Sequence, residues 1–260
     1  MSEIAQPIIR VEGFTAAYQG RTVLENISFA VEQGEAFAIL GGSGCGKSTL
    51  LKHLIGLHEP AAGRIWIGGD ELTGADNATR RRILRRIGVM YQSGALFGSM
   101  SLLENVRLPL EEFTELPDAA MTLIARMKLK LVGLAGFEDH LPAEISGGMQ
   151  KRAAIARALA LDPTILFLDE PSAGLDPITS AELDQTILQL ARSLGTTFVI
   201  VTHELASIYT VADRVIMLDK RTKGIIATGR PADLRDRSDN PWVRQFFNRQ
   251  TAAAPSGRPA

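Results

Sequence analysis

The sequence predicts an α/β protein in which helices cover a parallel sheet and antiparallel strands lie near the N-terminus. Three observations support this fold class. An apolar run at 36–40 leads directly into a glycine-rich loop, which is followed by the pattern of a helix. From residue 146 onward strands and helices alternate, as they do around parallel sheets. Between residues 8 and 31 apolar and polar residues alternate, which is typical of antiparallel strands.

Each element is predicted from its apolar pattern and its bounding turns. The predicted strands are 9–11, 23–24, 27–31, 36–40, 64–67, 88–91, 164–168, 197–201, 215–218 and 224–227, the last two forming a hairpin. The predicted helices are 49–55, 80–86, segments within 101–136, 149–161, 180–193 and about 240–249. One domain is expected over 1–250, with a helical part at about 93–160, a docking helix at its end and a disordered tail at 251–260.

The composition excludes several classes of protein. The chain has 260 residues, of which 45% are hydrophobic, so a large core can form. Its formal net charge of -1 gives no overall electrostatic case for binding nucleic acid. With a single cysteine it forms no internal disulfide, and its start lacks the pattern of a signal peptide. No apolar run is long enough to span a membrane, so any membrane association is expected to go through a partner.

The glycine-rich loop fits the phosphate-binding pattern G-x-x-x-x-G-K-[ST] at every position. Its residues are Gly41, Gly42, Ser43, Gly44, Cys45, Gly46, Lys47 and Ser48. The loop lies between a buried strand and a helix, where backbone N–H groups and the helix N-terminus attract phosphate oxygens. Lys47 is expected to reach the β- and γ-phosphates, the Ser48 hydroxyl to ligate Mg²⁺, and the backbone up to Thr49 to complete the cradle. The pattern predicts a nucleoside triphosphate site.

A second strand ends in two carboxylates. Asp169 and Glu170 follow the apolar run 165–168. Asp169 is expected to help hold Mg²⁺ opposite Ser48, and Glu170 to take a proton from the attacking water. The alternative interpretation is that one of these acids only caps the segment after the strand. The phosphate loop argues against this alternative, because such a loop needs an acidic partner at a strand end.

A further glycine-rich turn opens the helix that begins near residue 149. Ser146, Gly147 and Gly148 precede a run of basic and small residues, so the turn is a second candidate anion site. With the phosphate loop and the acidic pair, this order of motifs resembles the ATP-binding cassette family from about residue 8 to 229. The resemblance implies a P-loop ATPase with a RecA-like core, an N-terminal antiparallel β subdomain and a helical signature subdomain.

The resemblance assigns roles to further residues. Tyr18 matches the aromatic that stacks on adenine, with an ordinary strand aromatic as the alternative. Gln92 matches the glutamine that contacts Mg²⁺ and the attacking water, and His203 matches the switch histidine at the γ-phosphate. Asp176 closes the loop 172–176, which in this family crosses the dimer interface beside the nucleotide. The other three histidines match no motif and are expected to be structural or exposed.

The family also implies a partner. In cassettes of this kind the phosphate loop of one subunit and the Ser-Gly-Gly turn of another enclose one nucleotide, so two subunits bind two ATP head to tail. This chain carries one copy of each motif. A second copy of itself is therefore expected to complete each site.

The remaining question is which kind of cassette this is. The chain lacks the heptad repeats of chromosome-associated ATPases and the second cassette of translation factors. These differences favour a transporter subunit. The segment 92–101, the signature at 145–149 and the segment 172–180 resemble ATPases of bacterial phospholipid transport systems of the Mla or MCE type. That resemblance implies a permease, lipid-binding MCE proteins, a small STAS-domain protein and a peripheral place on the cytoplasmic face of the inner membrane. The alternatives are an importer of a small polar solute and a soluble ATPase acting on ribosomes or DNA.

Four local expectations remain. The basic segment 80–86 is interpreted as a solvated helix, with contact to anionic lipid as the alternative. The segment 241–247 has an apolar face that packs either on its own domain or on a neighbouring subunit. The segment 96–103 is expected to contact the permease. Cys45 is expected to have a lowered thiol pKa, because it lies in an electropositive loop at a helix N-terminus.

Overall fold

The structure is a computed structural model that describes residues 6–249, and the chain forms two sheets. The first sheet is antiparallel and has the order β2-β1-β4-β5. Its strands are β1 (Ile9–Tyr18), β2 (Arg21–Val31), β4 (Ala62–Ile67) and β5 (Asp70–Glu71). The predicted pieces at 23–24 and 27–31 are thus one long strand with irregular register. The predicted tail at 251–260 lies outside the described residues.

The second sheet has six strands in the order β10-β9-β3-β8-β7-β6. They are β3 (Ala36–Gly41), β6 (Ile87–Met90), β7 (Ile165–Asp169), β8 (Thr197–Val201), β9 (Arg214–Asp219) and β10 (Gly224–Gly229). Five of the strands are parallel, and β10 pairs with β9 as the predicted hairpin. The carboxyl ends of β3, β7 and β8 therefore meet at one edge, where ligands of open α/β sheets bind.

Nine α-helices are found in the described part of the chain. They are α1 (Lys47–Leu54), α2 (Asn77–Leu84), α3 (Leu102–Phe113), α4 (Asp118–Leu131), α5 (Gly147–Ala158), α6 (Pro177–Leu194), α7 (Leu205–Val211), α8 (Pro231–Arg237) and α9 (Pro241–Phe247). Helices α3 to α5 form the helical part that the sequence predicts. Serine and aspartate side chains cap α2, α3, α5 and α6 at the expected positions.

Side-chain alternation along the central strands divides the interior into three cores. On β3, Phe37 and Ile39 pack with α1 and the antiparallel sheet in the first core, while Ala38 and Leu40 pack with α7 to α9 in the third core. The strands β7 and β8 divide in the same way, since their other faces pack with the helical part and α6 in the second core. Because both faces of the central sheet are covered, its strands are almost continuously apolar, as parallel strands usually are.

The helix α9 packs on its own domain. Val243 and Phe247 are buried in the third core, and the Phe247 carbonyl accepts a hydrogen bond from the Tyr209 hydroxyl at 3.1 Å. Trp242 remains 41% exposed on the outer side. The structure therefore supports the first of the two alternatives for this segment.

The basic segment around α2 is occupied by internal contacts. The Arg82 and Arg86 side chains both pair with Asp70, at 2.8 Å and 3.0 Å. Arg80 pairs with Glu59 at 3.4 Å, and Arg85 donates to a backbone carbonyl of α3. These pairs favour a solvated structural helix over a lipid-binding one. Among residues 6–249 no helix has both the length and the apolar character needed to cross a bilayer.

Candidate active site

The phosphate loop runs from the end of β3 into α1. Gly41 has φ 148°, and a Cβ there would lie 2.4 Å from the Leu218 carbonyl oxygen. Gly46 has φ 105°, and a Cβ there would lie 2.7 Å from the Leu24 side chain. Both positions therefore require glycine. Gly42, Ser43 and Gly44 are exposed at the rim of the loop, where their backbone can meet a ligand.

Lys47 is folded back over this loop. Its Nζ donates to the Gly41 carbonyl at 2.9 Å and lies 4.0 Å from Oε1 of Glu170. Both side chains are nearly buried, at 10% and 12% exposure. The ammonium is thus held between the loop and the acidic strand end, within reach of a bound phosphate group. Ser48, the next residue, is exposed at the start of α1.

The acidic pair lies at the end of β7, as the sequence predicts. Oδ1 of Asp169 is buried and has no hydrogen-bond partner among the residues that the structure describes. Burial raises the pKa of this carboxyl, the neighbouring Glu170 raises it further, and Lys47 opposes both effects. A buried carboxylate oxygen without a partner fits a hard cation such as Mg²⁺, which binds through few carboxylates and the phosphates of the substrate.

Glu170 and His203 are in direct contact. The ring Nδ1 of His203 lies 2.9 Å from both carboxylate oxygens of Glu170. Glu170 has φ 47°, an uncommon left-handed conformation for a non-glycine residue, and its N–H donates to the Val201 carbonyl at 2.7 Å. Backbone strain of this kind is found at functional sites where the surrounding structure enforces it. The ends of β7 and β8 therefore bring the predicted base and the predicted switch histidine together.

Gln92 shares a cavity with Asp169. The cavity measures about 500 Å³ and is lined by Tyr91, Gln92, Ser93, Asp169, Ala173 and Gly174. The loop after β6 and the loop after β7 are therefore adjacent, as expected if both residues contact one metal ion and one water molecule. The structure thus brings together five of the predicted residues: Lys47, Gln92, Asp169, Glu170 and His203.

Two basic side chains of α5 hold the loop that carries Gln92, and the sequence analysis missed both. The Lys151 Nζ donates to the Gln92 carbonyl, and burial lowers the pKa of this ammonium. Arg157 donates to the carbonyls of Gly94 and Ala95, at 2.9 Å and 2.7 Å. Ala95 has a left-handed φ of 49°, which these bonds help to maintain. The only available signal was the unusual number of cations on a helix with a largely buried face.

The Ser-Gly-Gly turn opens α5 and packs on α6. The Ser146 hydroxyl accepts a hydrogen bond from the Met149 N–H at 3.3 Å, and both Ser146 and Gly147 are exposed. A Cβ on Gly148 would lie 2.4 Å from the Thr179 side chain, so the two helices approach closely. The turn therefore presents an exposed helix N-terminus, which is a favourable place for an anion.

Asp176 acts as the N-cap of α6. Its Oδ1 accepts hydrogen bonds from the N–H groups of Ile178 and Thr179, at 3.0 Å and 3.1 Å. The bonds with Thr179 lower the pKa of the carboxyl. The carboxylate is thus engaged with its own helix, and its contact with a nucleotide stays a prediction.

Tyr18 stands beside two histidines at the end of β1. Its ring is 39% exposed, with centroids 5.8 Å from His58 and 6.3 Å from His53. His53 is buried, and its Nδ1 lies 2.8 Å from the Thr49 carbonyl oxygen. Burial lowers the pKa of His53, so the ring favours the neutral form. The exposed face of Tyr18 is available for stacking. The position of the two histidines beside it was not predicted from the sequence.

The expectation for Cys45 is wrong. The residue is 2% exposed, and burial raises the pKa of its thiol, while Lys47 only partly opposes this effect. The side chain points beneath the loop, since a Cβ on Gly41 would lie 2.5 Å from Sγ. Desolvation therefore outweighs the positive potential of the loop.

Comparisons with known proteins agree with this geometry. A family model described as "ABC transporter" matches residues 24–173. The chain is 42% identical over 240 residues to the "Probable ribonucleotide transport ATP-binding protein mkl" of Mycobacterium leprae, covering 92% of this chain and 68% of that protein. It is 40% identical over 229 residues to the "Intermembrane phospholipid transport system ATP-binding protein MlaF" of Escherichia coli K12, covering 88% and 84%. The dimeric ADP- and phosphate-bound structure of the ATP-binding cassette MJ0796 superposes with a TM-score of 0.77 at 31% identity, covering 85% of this chain and 98% of that one.

Proposed function

Because this chain belongs to the ATP-binding cassette transporter family, we propose that it is the ATP-hydrolysing subunit of a transporter that moves phospholipids between bacterial membranes. The single observation that carries the substrate class is the 40% identity to the phospholipid transport ATPase over 88% of the chain. The site supports the reaction, which is hydrolysis of ATP to ADP and phosphate.

The nucleotide is bound mainly by the phosphate loop and α1. The backbone N–H groups of Gly44 to Thr49 surround the phosphates, and Lys47 exchanges its contact with the Gly41 carbonyl for a phosphate oxygen. The exposed ring of Tyr18 stacks on the adenine. Binding energy thus comes from oriented backbone dipoles, one buried ammonium and one aromatic face.

Hydrolysis uses the residues at the ends of β6, β7 and β8. Glu170 accepts a proton from the attacking water, and His203 fixes the orientation of the carboxylate through its 2.9 Å contact. Gln92, in the cavity shared with Asp169, positions that water. Ser48, Asp169 and Gln92 would hold Mg²⁺, which neutralises charge on the β- and γ-phosphates when bound.

A second copy of the chain completes each site. Ser146 and Gly147 of the Ser-Gly-Gly turn are exposed, so the turn can cover the nucleotide of another subunit. Asp176 and its loop lie at the same interface. The similarity to a cassette that forms a nucleotide-bound dimer supports this head-to-tail arrangement. ATP then closes the dimer, and its hydrolysis reopens it.

The helical part offers a surface for the permease. An apolar groove of about 420 Å³ is lined by Ala95, Phe97, Leu108, Pro109, Glu112, Phe113 and Arg157. Phe97 is 51% exposed there, and the groove adjoins the loop held by Arg157. A permease segment bound in this groove would be displaced when the Gln92 loop moves. Through this contact the subunit lies on the cytoplasmic face of the inner membrane, in a complex with MCE-domain and STAS-domain proteins.

Reconstitution tests this proposal. The chain is co-purified with the permease encoded beside its gene, and the complex is placed in vesicles that contain a fluorescent phospholipid. ATP-dependent transfer to acceptor vesicles is expected in one direction, and it is expected to stop in the Glu170→Gln complex. A complex that hydrolyses ATP but moves no phospholipid in either direction would refute the substrate class.

The mycobacterial relative supports a second candidate function. Its name assigns ribonucleotide transport, and this chain is 42% identical to it over 92% of its own length. The same vesicles, loaded with or surrounded by a labelled ribonucleotide, distinguish the two. ATP-dependent movement of the ribonucleotide without movement of phospholipid would favour the import of a small polar solute.

A further inference from the structure

Buried polar side chains connect the loop after Glu170 to the helix after His203. Ser172 lies two residues beyond Glu170, and Ser207 lies on α7, four residues beyond His203. Their hydroxyl oxygens are 3.5 Å apart, and the residues are 4% and 1% exposed. The segments that carry the two catalytic side chains are thus in polar contact a short distance beneath the site.

Asp184 on α6 joins this pair. The residue is 3% exposed, and the Ser207 hydroxyl lowers the pKa of its carboxyl group, which places the two side chains close together. Its Oδ1 is buried and has no hydrogen-bond partner among residues 6–249. Asp184, Ser172 and Ser207 are hereafter the buried polar cluster.

Packing alone does not explain an acid at this position. The neighbouring buried residues of α6, which include Leu183 and Ile187, are apolar members of the second core. A leucine has a similar size and would avoid the cost of removing a carboxyl group from water. An incompletely satisfied buried acid is therefore a candidate for a functional role.

We propose that Asp184 is a positioning residue for ATP hydrolysis, because the buried polar cluster fixes the loop of Glu170 relative to the helix that follows His203. The inference rests on the proposed roles of Glu170 and His203. In this role Asp184 contacts neither the nucleotide nor the attacking water. It acts by fixing the distance between Glu170 and His203.

The geometry explains why such a link matters. Glu170 is held by its own backbone bond to β8, but the His203 side chain is 55% exposed and lies in the short loop between β8 and α7. The position of α7 therefore determines whether the ring reaches both carboxylate oxygens at 2.9 Å. Since α6 and α7 pack on each other, Asp184 can transmit the position of the loop at Ser172 directly to α7.

The surroundings of Asp184 shift its equilibrium toward the neutral form. Burial is the main cause that raises the pKa of Asp184, Glu204 at the start of α7 raises it further, and only the Ser207 hydroxyl lowers it. A carboxylic acid can donate one hydrogen bond and accept another. It can therefore interact with the Ser207 hydroxyl as donor or as acceptor, as an asparagine could and a leucine could not.

Steady-state hydrolysis by the full-length dimer tests the inference. Asp184→Leu is expected to lower kcat about tenfold while KM for ATP stays within about twofold, because it removes a contact that orients the catalytic pair and not one that binds nucleotide. Asp184→Asn is expected to retain at least half of kcat. Ser207→Ala is expected to lower kcat as well, and the double variant with Asp184→Leu is expected to be no slower than the slower single variant.

Ile187→Ala is the matched control, because Ile187 lies one turn further along α6 and is equally buried. It is expected to lower the melting temperature without lowering kcat. A wild-type kcat in folded Asp184→Leu would overturn the inference. So would multiplicative losses in the double variant, an Asn variant as slow as the Leu variant, or an equal loss in the control.

Two further safeguards keep the test decisive. If Asp184→Leu does not fold, Asp184→Ala combined with Ser207→Ala gives the same cycle. The Glu170→Gln variant separates the two hypotheses. Hydrolysis that survives Glu170→Gln overturns the proposed catalytic base, whereas an inactive Glu170→Gln beside a fully active Asp184→Leu overturns only the role of Asp184.

Discussion

Replacing Glu170 by glutamine removes one charge, keeps the shape of the side chain and is expected to separate hydrolysis from binding. A positioned general base contributes about 10²–10⁴-fold to the rate, so hydrolysis should fall by that factor. The contact with His203 can remain, because the amide oxygen still accepts a hydrogen bond from the ring at the 2.9 Å site. The loss therefore reports proton transfer and not a collapse of the site.

Nucleotide binding should become tighter in the same variant. Lys47 lies 4.0 Å from the carboxylate. A charge pair at that separation has an attraction of about 4 kcal/mol at an effective dielectric constant of 20, which is an upper bound. If a third of this attraction becomes available to the phosphates, affinity for ATP rises about tenfold. A closed, ATP-bound dimer is then expected to accumulate.

Two measurements check both effects. Phosphate release under saturating ATP gives the rate, and titration with a fluorescent ATP analogue gives the affinity, with size-exclusion chromatography to detect the dimer. Glu204→Gln is the matched control, since Glu204 lies 3.8 Å from the other nitrogen of the same histidine. A Glu170→Gln rate within threefold of wild type, or an equal loss in the control, would refute the assignment of the base.

Four further predictions follow from the same structure. Lys47→Ala should weaken Mg-ATP binding by about 10–150-fold, since a charge-assisted contact is worth about 1.5–3 kcal/mol; unchanged affinity would contradict this role. Phe97→Asp should abolish co-purification with the permease while circular dichroism stays unchanged, because the ring is 51% exposed; an intact complex would count against the groove. Cys45 should react slowly with a maleimide at pH 7 and at full rate in denaturant, since burial raises its thiol pKa. Burial also raises the pKa of Asp184 above its unfolded value, so the stability that this group contributes is lost as pH rises through the folded pKa. The Asp184→Asn variant should therefore have a higher unfolding free energy than wild type at pH 8 but not at pH 4.

The parts of the fold that could be predicted are those with local causes. The strand at Thr197–Val201 is bounded as the sequence predicts, because all five residues are buried and four of them are apolar. The helices α7 and α8 were not predicted, because each has only seven residues, with polar residues interspersed among the apolar ones. Their stability comes from packing in the third core and not from a pattern of their own.

The site residues likewise fall into those that local motifs predict and those that only the folded structure reveals. Lys47, Asp169 and Glu170 follow from motifs that are contiguous in sequence, and the family match confirms the resemblance that those motifs indicated. The contact of Lys151 with Gln92 spans 59 positions and could not be read from spacing. The expectation for Cys45 failed because a sequence shows the charge of the loop but not that the side chain turns beneath it.

Because the thiol of Cys45 lies beneath the phosphate loop, the wild-type chain gives little background when an added cysteine is labelled. Cys45 is the only cysteine in 260 residues, and it is 2% exposed. A second cysteine at an exposed position, such as Glu112 on α3 or Gln185 on α6, can therefore carry a spin label or dye without prior removal of the natural one. Distances between two such labels across a dimer would then report opening and closing, and any slow reaction at Cys45 itself would report loosening of the loop.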